Sequence, residues 1–219
     1  FDEFEMFDKN YYSKNDGSSM SEALGKAFIN LPKIIEKSRP DLILSGFDIA
    51  ANFAITVCGA HMNIPVAHIQ GGEVSGTIDE SLRHAMSKFS NFHFTATEET
   101  KKRLIRMGEL KKNIFVVGCP SIDALKQEKE EDHNLIKKKF KIDLSQDYIL
   151  IIQHPVTSEL KNVHKQFIET IEALKKIKIQ KLFVFPNNDA GSLKIINLIE
   201  KYKFNHCQTL SLREYKTLL

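Results

Sequence analysis

Short apolar, β-branched runs alternate along the chain with longer stretches whose apolar residues recur at helical spacing. The pattern predicts strands at Leu42–Leu44, Val66–Ile69, His93–Ala96, Ile114–Val117, Tyr148–Ile152 and Leu182–Phe185. Each run is almost uninterrupted in apolar character, as suits a strand covered on both faces by helices. Helices are predicted near 20–38, 50–62, 79–90, 98–107, 158–177 and 191–202. Strand–helix alternation of this kind implies an α/β fold built on parallel sheets. Pro40, Pro65, Pro120, Pro155 and Pro186 each sit beside a predicted strand, where proline starts or stops an element.

The segment Gln127–Gln146 is highly charged and carries no strand pattern. It reads as a helix with a loop joining two domains. The expected division is residues 1–127, a connector at 128–146, and residues 147–219.

Composition narrows the class. The 219 residues are 42% hydrophobic and 27% charged, which fits a soluble globular chain and not a disordered one. The longest stretch free of Asp, Glu, Lys and Arg, Ile49 to Gly72, contains Asn52, His61, Asn63, Pro65, His68 and Gln70, so no membrane span is expected. Phe1 to Asp8 carries acids and no basic leader region, so a cytoplasmic location is expected. Cys58, Cys119 and Cys207 lie far apart without metal or redox spacing, and read as thiols of a reducing compartment. The net charge of +3 hides an asymmetry. Residues 1–100 hold 8 basic and 14 acidic side chains, and residues 101–219 hold 23 and 14. The lysines of the basic half fall on solvated helix faces. Neither an RNA-binding aromatic pattern nor zinc-finger spacing accompanies them, so no nucleic-acid partner is expected.

In parallel α/β sheets, ligands bind outside the carboxyl ends of the strands. Those ends are rich in polar groups. Asp48 follows the first predicted strand, and His68-Ile69-Gln70-Gly71-Gly72-Glu73 closes the second. Gly118-Cys119 follows the fourth, Gln153-His154-Pro155 the fifth, and Pro186-Asn187-Asn188-Asp189 the sixth. Thr77-Ile78-Asp79-Glu80 matches a capping box, which gives Glu80 a structural role and places Asp79 in the first turn of a helix. Asp48, Glu73 and Asp79 are thus expected to converge with few basic residues beside them, an arrangement suited to general acid and base work. His68 and His154 end strands and could meet a ligand. A metal on Asp48, His68 and Glu73 is a competing reading, but no tight ligand spacing backs it and none is expected. Asp189-Ala190-Gly191-Ser192 opens a helix whose first amides could cradle a phosphate.

With these motifs the chain resembles the hydrolysing UDP-N-acetylglucosamine 2-epimerases of sialic-acid and legionaminic-acid synthesis. The resemblance rests on His68 through Ser81 with Arg83-His84-Ala85, on Val117-Gly118-Cys119-Pro120-Ser121-Ile122-Asp123, on Gln153-His154-Pro155-Val156-Thr157, and on Phe185-Pro186-Asn187 with Asp189-Ala190-Gly191-Ser192. It implies two Rossmann-like domains facing a nucleotide-sugar cleft, the GT-B arrangement. It also implies elimination of the nucleotide to a glycal, followed by hydration to the free 2-epimer, with no cofactor. Asp48 and Asp79 match two of the family's catalytic acids. A third acid falls at position 70, which is Gln70 here. An amide cannot act as a general base at neutral pH, so Glu73 is the candidate substitute, although relatives also carry it beside the usual acid. His154 matches a histidine at the nucleotide phosphates, Asn187 an asparagine of the nucleotide site, and His68 and Ser192 complete the expected binding set. The family's opening Arg-Ala-Asp and closing Gly-Asn-Ser-Ser segments are absent, so the chain is expected to be the middle of a longer enzyme. That enzyme is expected to form a dimer or tetramer. The other readings are a non-hydrolysing 2-epimerase, a nucleotide-sugar-binding fragment without activity, and a glycosyltransferase of the same fold.

Overall fold

The computed structural model of the protein describes residues 17–219, with side chains from Ser21 onward. The reading of Phe1 to Asp8 lies outside the described residues. Two compact units divide between Cys119 and Pro120. Both are parallel α/β units, as the alternation predicts.

In the first unit, α1 (Gly17–Ser38), β1 (Ile43–Gly46), α2 (Ala50–His61), β2 (Val66–Ile69), α3 (Ile78–Phe89), β3 (Phe92–Thr95), α4 (Glu98–Arg106) and β4 (Ile114–Val116) follow in order. The strands pair in parallel in their sequence order, β1-β2-β3-β4. The register places Ser45, His68, His93 and Ile114 in one row across the sheet. That face is buried, as are Ile43 and Val66 beside the row. Ala27, Leu31 and Ile35, spaced one turn apart on α1, pack with Ala54 and Cys58 of α2 against Ile43 and Val66. The opposite face carries Leu44, Phe92 and Phe115, all exposed among the described residues. Strands stepping in one direction place their connecting helices on one side of a sheet, because such crossovers share one hand. The burial pattern follows that rule.

The second unit contains α5 (Pro120–Gln127), α6 (His133–Phe140), β5 (Tyr148–Ile152), α7 (Val163–Lys175), β6 (Gln180–Val184), α8 (Ser192–Lys201), β7 (His206–Cys207) and α9 (Leu212–Leu218). Its sheet runs β5-β6-β7, again parallel. One face, with Ile151 and Phe183, packs on Phe167, Ile171, Ile195 and Ile199 of α7 and α8. The other, with Leu182, packs on Ile136 and Phe140 of α6 and Leu218 of α9. Burying each such side chain contributes about 1.5–3 kcal/mol.

The expected connector at 128–146 therefore has a different character from a linker. Ile136, Phe140 and Ile142 are buried in the second unit. Apolar residues four apart on α6 outweigh the lysines around them, which occupy its outer face. The helix expected over 158–177 begins only at Val163, after a 3-10 turn at Thr157–Glu159. β7 lies outside the predicted strands, because two strand residues are too short to show a period. Among the described residues no helix is long and apolar enough to cross a membrane.

Candidate functional site

At the carboxyl edge of the first sheet, Phe47 and Gln70 both adopt left-handed backbone conformations (φ 65° and 61°). Asp48 lies two residues beyond Gly46, the last of β1, and α3 begins at Ile78, after a loop that follows Ile69. Arg83 of α3 joins the two strand ends. Its Nη2 donates to Asp48 Oδ2, and its Nη1 donates to the Glu73 carbonyl at 3.0 Å. The Arg83 side chain is 11% exposed and that of Asp48 25%. The few-basic-residues expectation is therefore corrected: a mostly buried guanidinium sits within the acid group. Arg83 lies four residues after Asp79, one helical turn along the same face, and that spacing was the signal available in the sequence.

Thr77, Asp79 and Glu80 behave differently from a capping box. Thr77 precedes α3 as its N-cap but makes no side-chain cap bond. Its hydroxyl instead donates to Asp79 Oδ2 at 2.9 Å. Glu80 Oε2 accepts from the amides of Gly76 at 2.8 Å and Ser75 at 2.9 Å. These two bonds, Gly76 first, lower the Glu80 carboxyl below the usual range. Glu80 is thus structural, as the box reading had it, but through the loop before the helix. Glu73 is half-buried, and its backbone carbonyl, not its carboxylate, meets Arg83.

The loop between β2 and α3 is tied down from behind. Arg103 of α4 donates to the Gly72 carbonyl at 2.5 Å. Gly72 has φ 84°, and a Cβ there would lie 2.6 Å from the Thr100 carbonyl oxygen. Only glycine allows both the turn and the approach.

His68 does not reach a ligand-facing surface. It is fully buried, and its Nδ1 lies 3.0 Å from Ser87 Oγ. Ser87 Oγ in turn donates to the Arg83 carbonyl at 3.1 Å, so the ring carries its proton on Nδ1. A Cβ on Gly71 would fall 2.9 Å from both partners, so glycine at 71 permits this bond. Burial, then the charges of His93, Arg83 and His84, lower the His68 pKa to about 3. Its role is to brace the helix that carries Arg83. The strand-end position suggested exposure, but the row it occupies is the buried one.

Gln70 lies beyond β2, its amide still paired to the Phe94 carbonyl at 2.8 Å. Its side-chain Nε2 donates to Cys119 Sγ at 2.8 Å.

In the second unit His154 and Asn187 are brought together after β5 and β6. His154 Nδ1 lies 3.0 Å from Asn187 Oδ1 and 3.3 Å from the backbone amide of Asn187, which donates to it. The two contacts select opposite ring tautomers. Both residues are exposed, which leaves the imidazole open to an anion. Ser192 begins α8 but is buried, and its amide is paired with the Asp189 carbonyl at 3.0 Å. The Lys194 amide is likewise paired, with the Gly191 carbonyl at 3.1 Å, so the expected phosphate cradle has two of its amides already engaged.

A family model described as UDP-N-acetylglucosamine 2-epimerase matches residues 1–219. The chain is 38% identical over 185 residues to the UDP-N,N'-diacetylbacillosamine 2-epimerase (hydrolyzing) of Legionella pneumophila, covering 84% of this chain and 49% of that protein. It is 30% identical over 187 residues to the UDP-N-acetylglucosamine 2-epimerase of Neisseria meningitidis, covering 85% and 49%. Among solved structures, the Methanocaldococcus jannaschii UDP-GlcNAc 2-epimerase in complex with UDP-GlcNAc and UDP superimposes with a TM-score of 0.74 at 23% identity, over 91% of this chain and 57% of that one. That likeness shows the fold, which is of the GT-B type. The chain spans about half the length of the curated relatives it matches. With the family model matched from end to end, the chain belongs to the UDP-N-acetylglucosamine 2-epimerase family.

Proposed function

We propose that this chain carries proton-transfer and phosphate-binding residues of a hydrolysing 2-epimerase. Its substrate is UDP-N-acetylglucosamine or a related diacetamido nucleotide sugar. One observation carries the reading: Arg83 ties Asp48 to the Glu73 carbonyl, so the β1 end and the loop leading to Asp79 are held together at the sheet's carboxyl edge. The Legionella relative, named as hydrolysing, supports the reaction type.

A base removes the proton at C2 while the C1–O bond breaks toward the diphosphate. The electron pair of the C2–H bond becomes the C1–C2 double bond of a glycal, and UDP leaves. Water then adds its oxygen to C1, and a proton returns to C2 from the opposite face. The sum is nucleotide sugar plus water giving UDP and the free 2-epimer. Asp48, Glu73 and Asp79 share the proton transfers. Gln70 cannot serve as the base and takes a hydrogen-bonding part. In the second unit, His154, Asn187 and the amides opening α8 near Ser192 meet the diphosphate and stabilise the charge it gains on leaving. The full-length protein is proposed to act as a dimer or tetramer.

Incubation of the full-length protein with UDP-N-acetylglucosamine in D2O, followed by proton NMR, tests this. The expected products are UDP and free N-acetylmannosamine with deuterium at C2. A product still linked to UDP replaces the reading with a non-hydrolysing epimerase. Binding without turnover replaces it with a binding module, and transfer to an acceptor with a glycosyltransferase.

A further inference from the structure

Two left-handed turns converge at the edge of the first sheet. Gln70 itself has φ 61°, a left-handed conformation that residues with a Cβ rarely adopt. After β4, Gly118 has φ 86° and delivers Cys119 over the same edge. Residues from the ends of β2 and β4, which are separated by β3, meet there: Gln70 Nε2 donates to Cys119 Sγ at 2.8 Å. Cys119 is half-buried and forms no disulfide. A carboxamide has donors on its nitrogen and lone pairs on its oxygen. With the nitrogen turned to the thiol, the pair offers an acceptor.

The geometry points to Cys119 as a positioning residue for Gln70, holding the carboxamide so that its oxygen accepts a hydrogen bond from the substrate. This deepens the epimerase reading and rests on it. A bound group that suits an acceptor without charge is an amide N–H, and the 2-acetamido substituent carries one on the reacting carbon. Gln70 thereby selects 2-acetamido sugars over 2-hydroxy sugars through substrate binding, and leaves proton transfer to the acids.

Two measurements on the full-length protein test the proposal. The first needs no substrate: alkylation of Cys119 by iodoacetamide, followed by mass spectrometry, with Cys207 as internal reference. Gln70→Ala uncovers the thiol and is expected to speed alkylation about threefold or more, leaving Cys207 unchanged. An unchanged Cys119 rate overturns the contact. The second is steady-state UDP release. Cys119→Ala is expected to raise KM about fivefold with little change in kcat, the worth of one neutral hydrogen bond. Cys119→Ser keeps an acceptor for the same N–H and is expected to restore KM. Gln70→Ala with Cys119→Ala together should be no worse than Gln70→Ala alone. A silent Cys119→Ala, a Ser variant as impaired as Ala, or multiplying effects overturn the positioning role. A wild-type protein that releases no UDP defeats the epimerase reading and the substrate role with it, while the alkylation result still decides the contact.

Discussion

Arg83 reaches from α3 to the carboxylate of Asp48 at the end of β1, and with its other nitrogen grips the Glu73 carbonyl. One guanidinium therefore fixes the spacing between a strand end and the loop that precedes Asp79. The fork geometry of arginine suits two oxygens at once, which an ammonium cannot match. Arg83→Met is expected to lower kcat by about a hundredfold or more, comparable to loss of one preorganised donor. Arg83→Lys should recover only part of it. UDP release by the purified full-length variants measures both, and a methionine variant with wild-type kcat would remove Arg83 from the site.

The loop before α3 is equally sensitive from the backbone side. Gly72→Ala combines a left-handed φ with a Cβ 2.6 Å from the Thr100 carbonyl oxygen. The expected cost is about 2–4 kcal/mol, from strain plus overlap with a backbone atom that a helix holds still. Gly76 also has a left-handed φ (70°) but open space around it. Gly76→Ala should therefore cost only about 1 kcal/mol. Urea titrations of the two variants separate the contributions, and equal midpoints would contradict the argument.

Much of this fold was legible in the sequence because buried parallel strands are short, apolar and separated by helical periods. The strand at Val66–Ile69 and that at Tyr148–Ile152 fall where the pattern puts them. The site was legible in part. Asp48 and Asp79 lie at strand and helix ends, where motif and topology agree. His68 was misplaced because the sequence cannot show which face of a strand is buried when both faces carry apolar neighbours. Glu80 illustrates a different limit. The capping motif names the right residue types, but the turn at Ser75 and Gly76 offers two amides that outcompete the N-cap's own. Arg83 belongs to a motif visible in the sequence, but its pairing with Asp48 is not, because the two are 35 residues apart, a distance that no local period spans.

Acid should weaken the first unit through His68. Its folded pKa of about 3 lies below the ordinary value of 6.5. The unfolded chain therefore binds the extra proton between those values, and stability falls as pH drops through that window. His93 is lowered as well, by burial, with Glu109 opposing the shift. Above pH 6.5 neither contributes a slope. One such proton makes the slope about 1.4 kcal/mol per pH unit. Urea midpoints taken between about pH 7 and pH 4 should decline, and His68→Gln should flatten the decline. A midpoint that rises on acidification would reverse the sign.

Ile136 tests whether the charged segment belongs to the second unit. It is buried on α6 against Leu182 and Leu218, although lysines surround it in sequence. Ile136→Ala is expected to cost about 2–5 kcal/mol, the range for a deleted core side chain. Phe167→Ala, in the opposite layer beside Phe183, should cost about 3–5 kcal/mol. Hydrogen exchange read separately over β2 and β6 should show both losses in β6. An Ile136→Ala protein with unchanged exchange would return the segment to the status of a linker.

Neighbouring acids on α3 give the sharpest separation of chemistry from structure. Asp79 receives the Thr77 hydroxyl at one carboxylate oxygen, and the proposed reaction uses the other for proton transfer, whereas Glu80 is committed to the Gly76 and Ser75 amides. Asp79→Asn preserves size and can still accept from Thr77, so stability should hold while kcat falls by about a hundredfold or more, as for loss of a general acid or base. Glu80→Gln keeps one acceptor for two amides but loses the charge they favour. Its melting temperature should drop, with kcat little changed once folded. Measuring UDP release and thermal unfolding on the same preparations separates the two residues. If Asp79→Asn turns over normally and Glu80→Gln does not, the proton-transfer role moves one position along the helix.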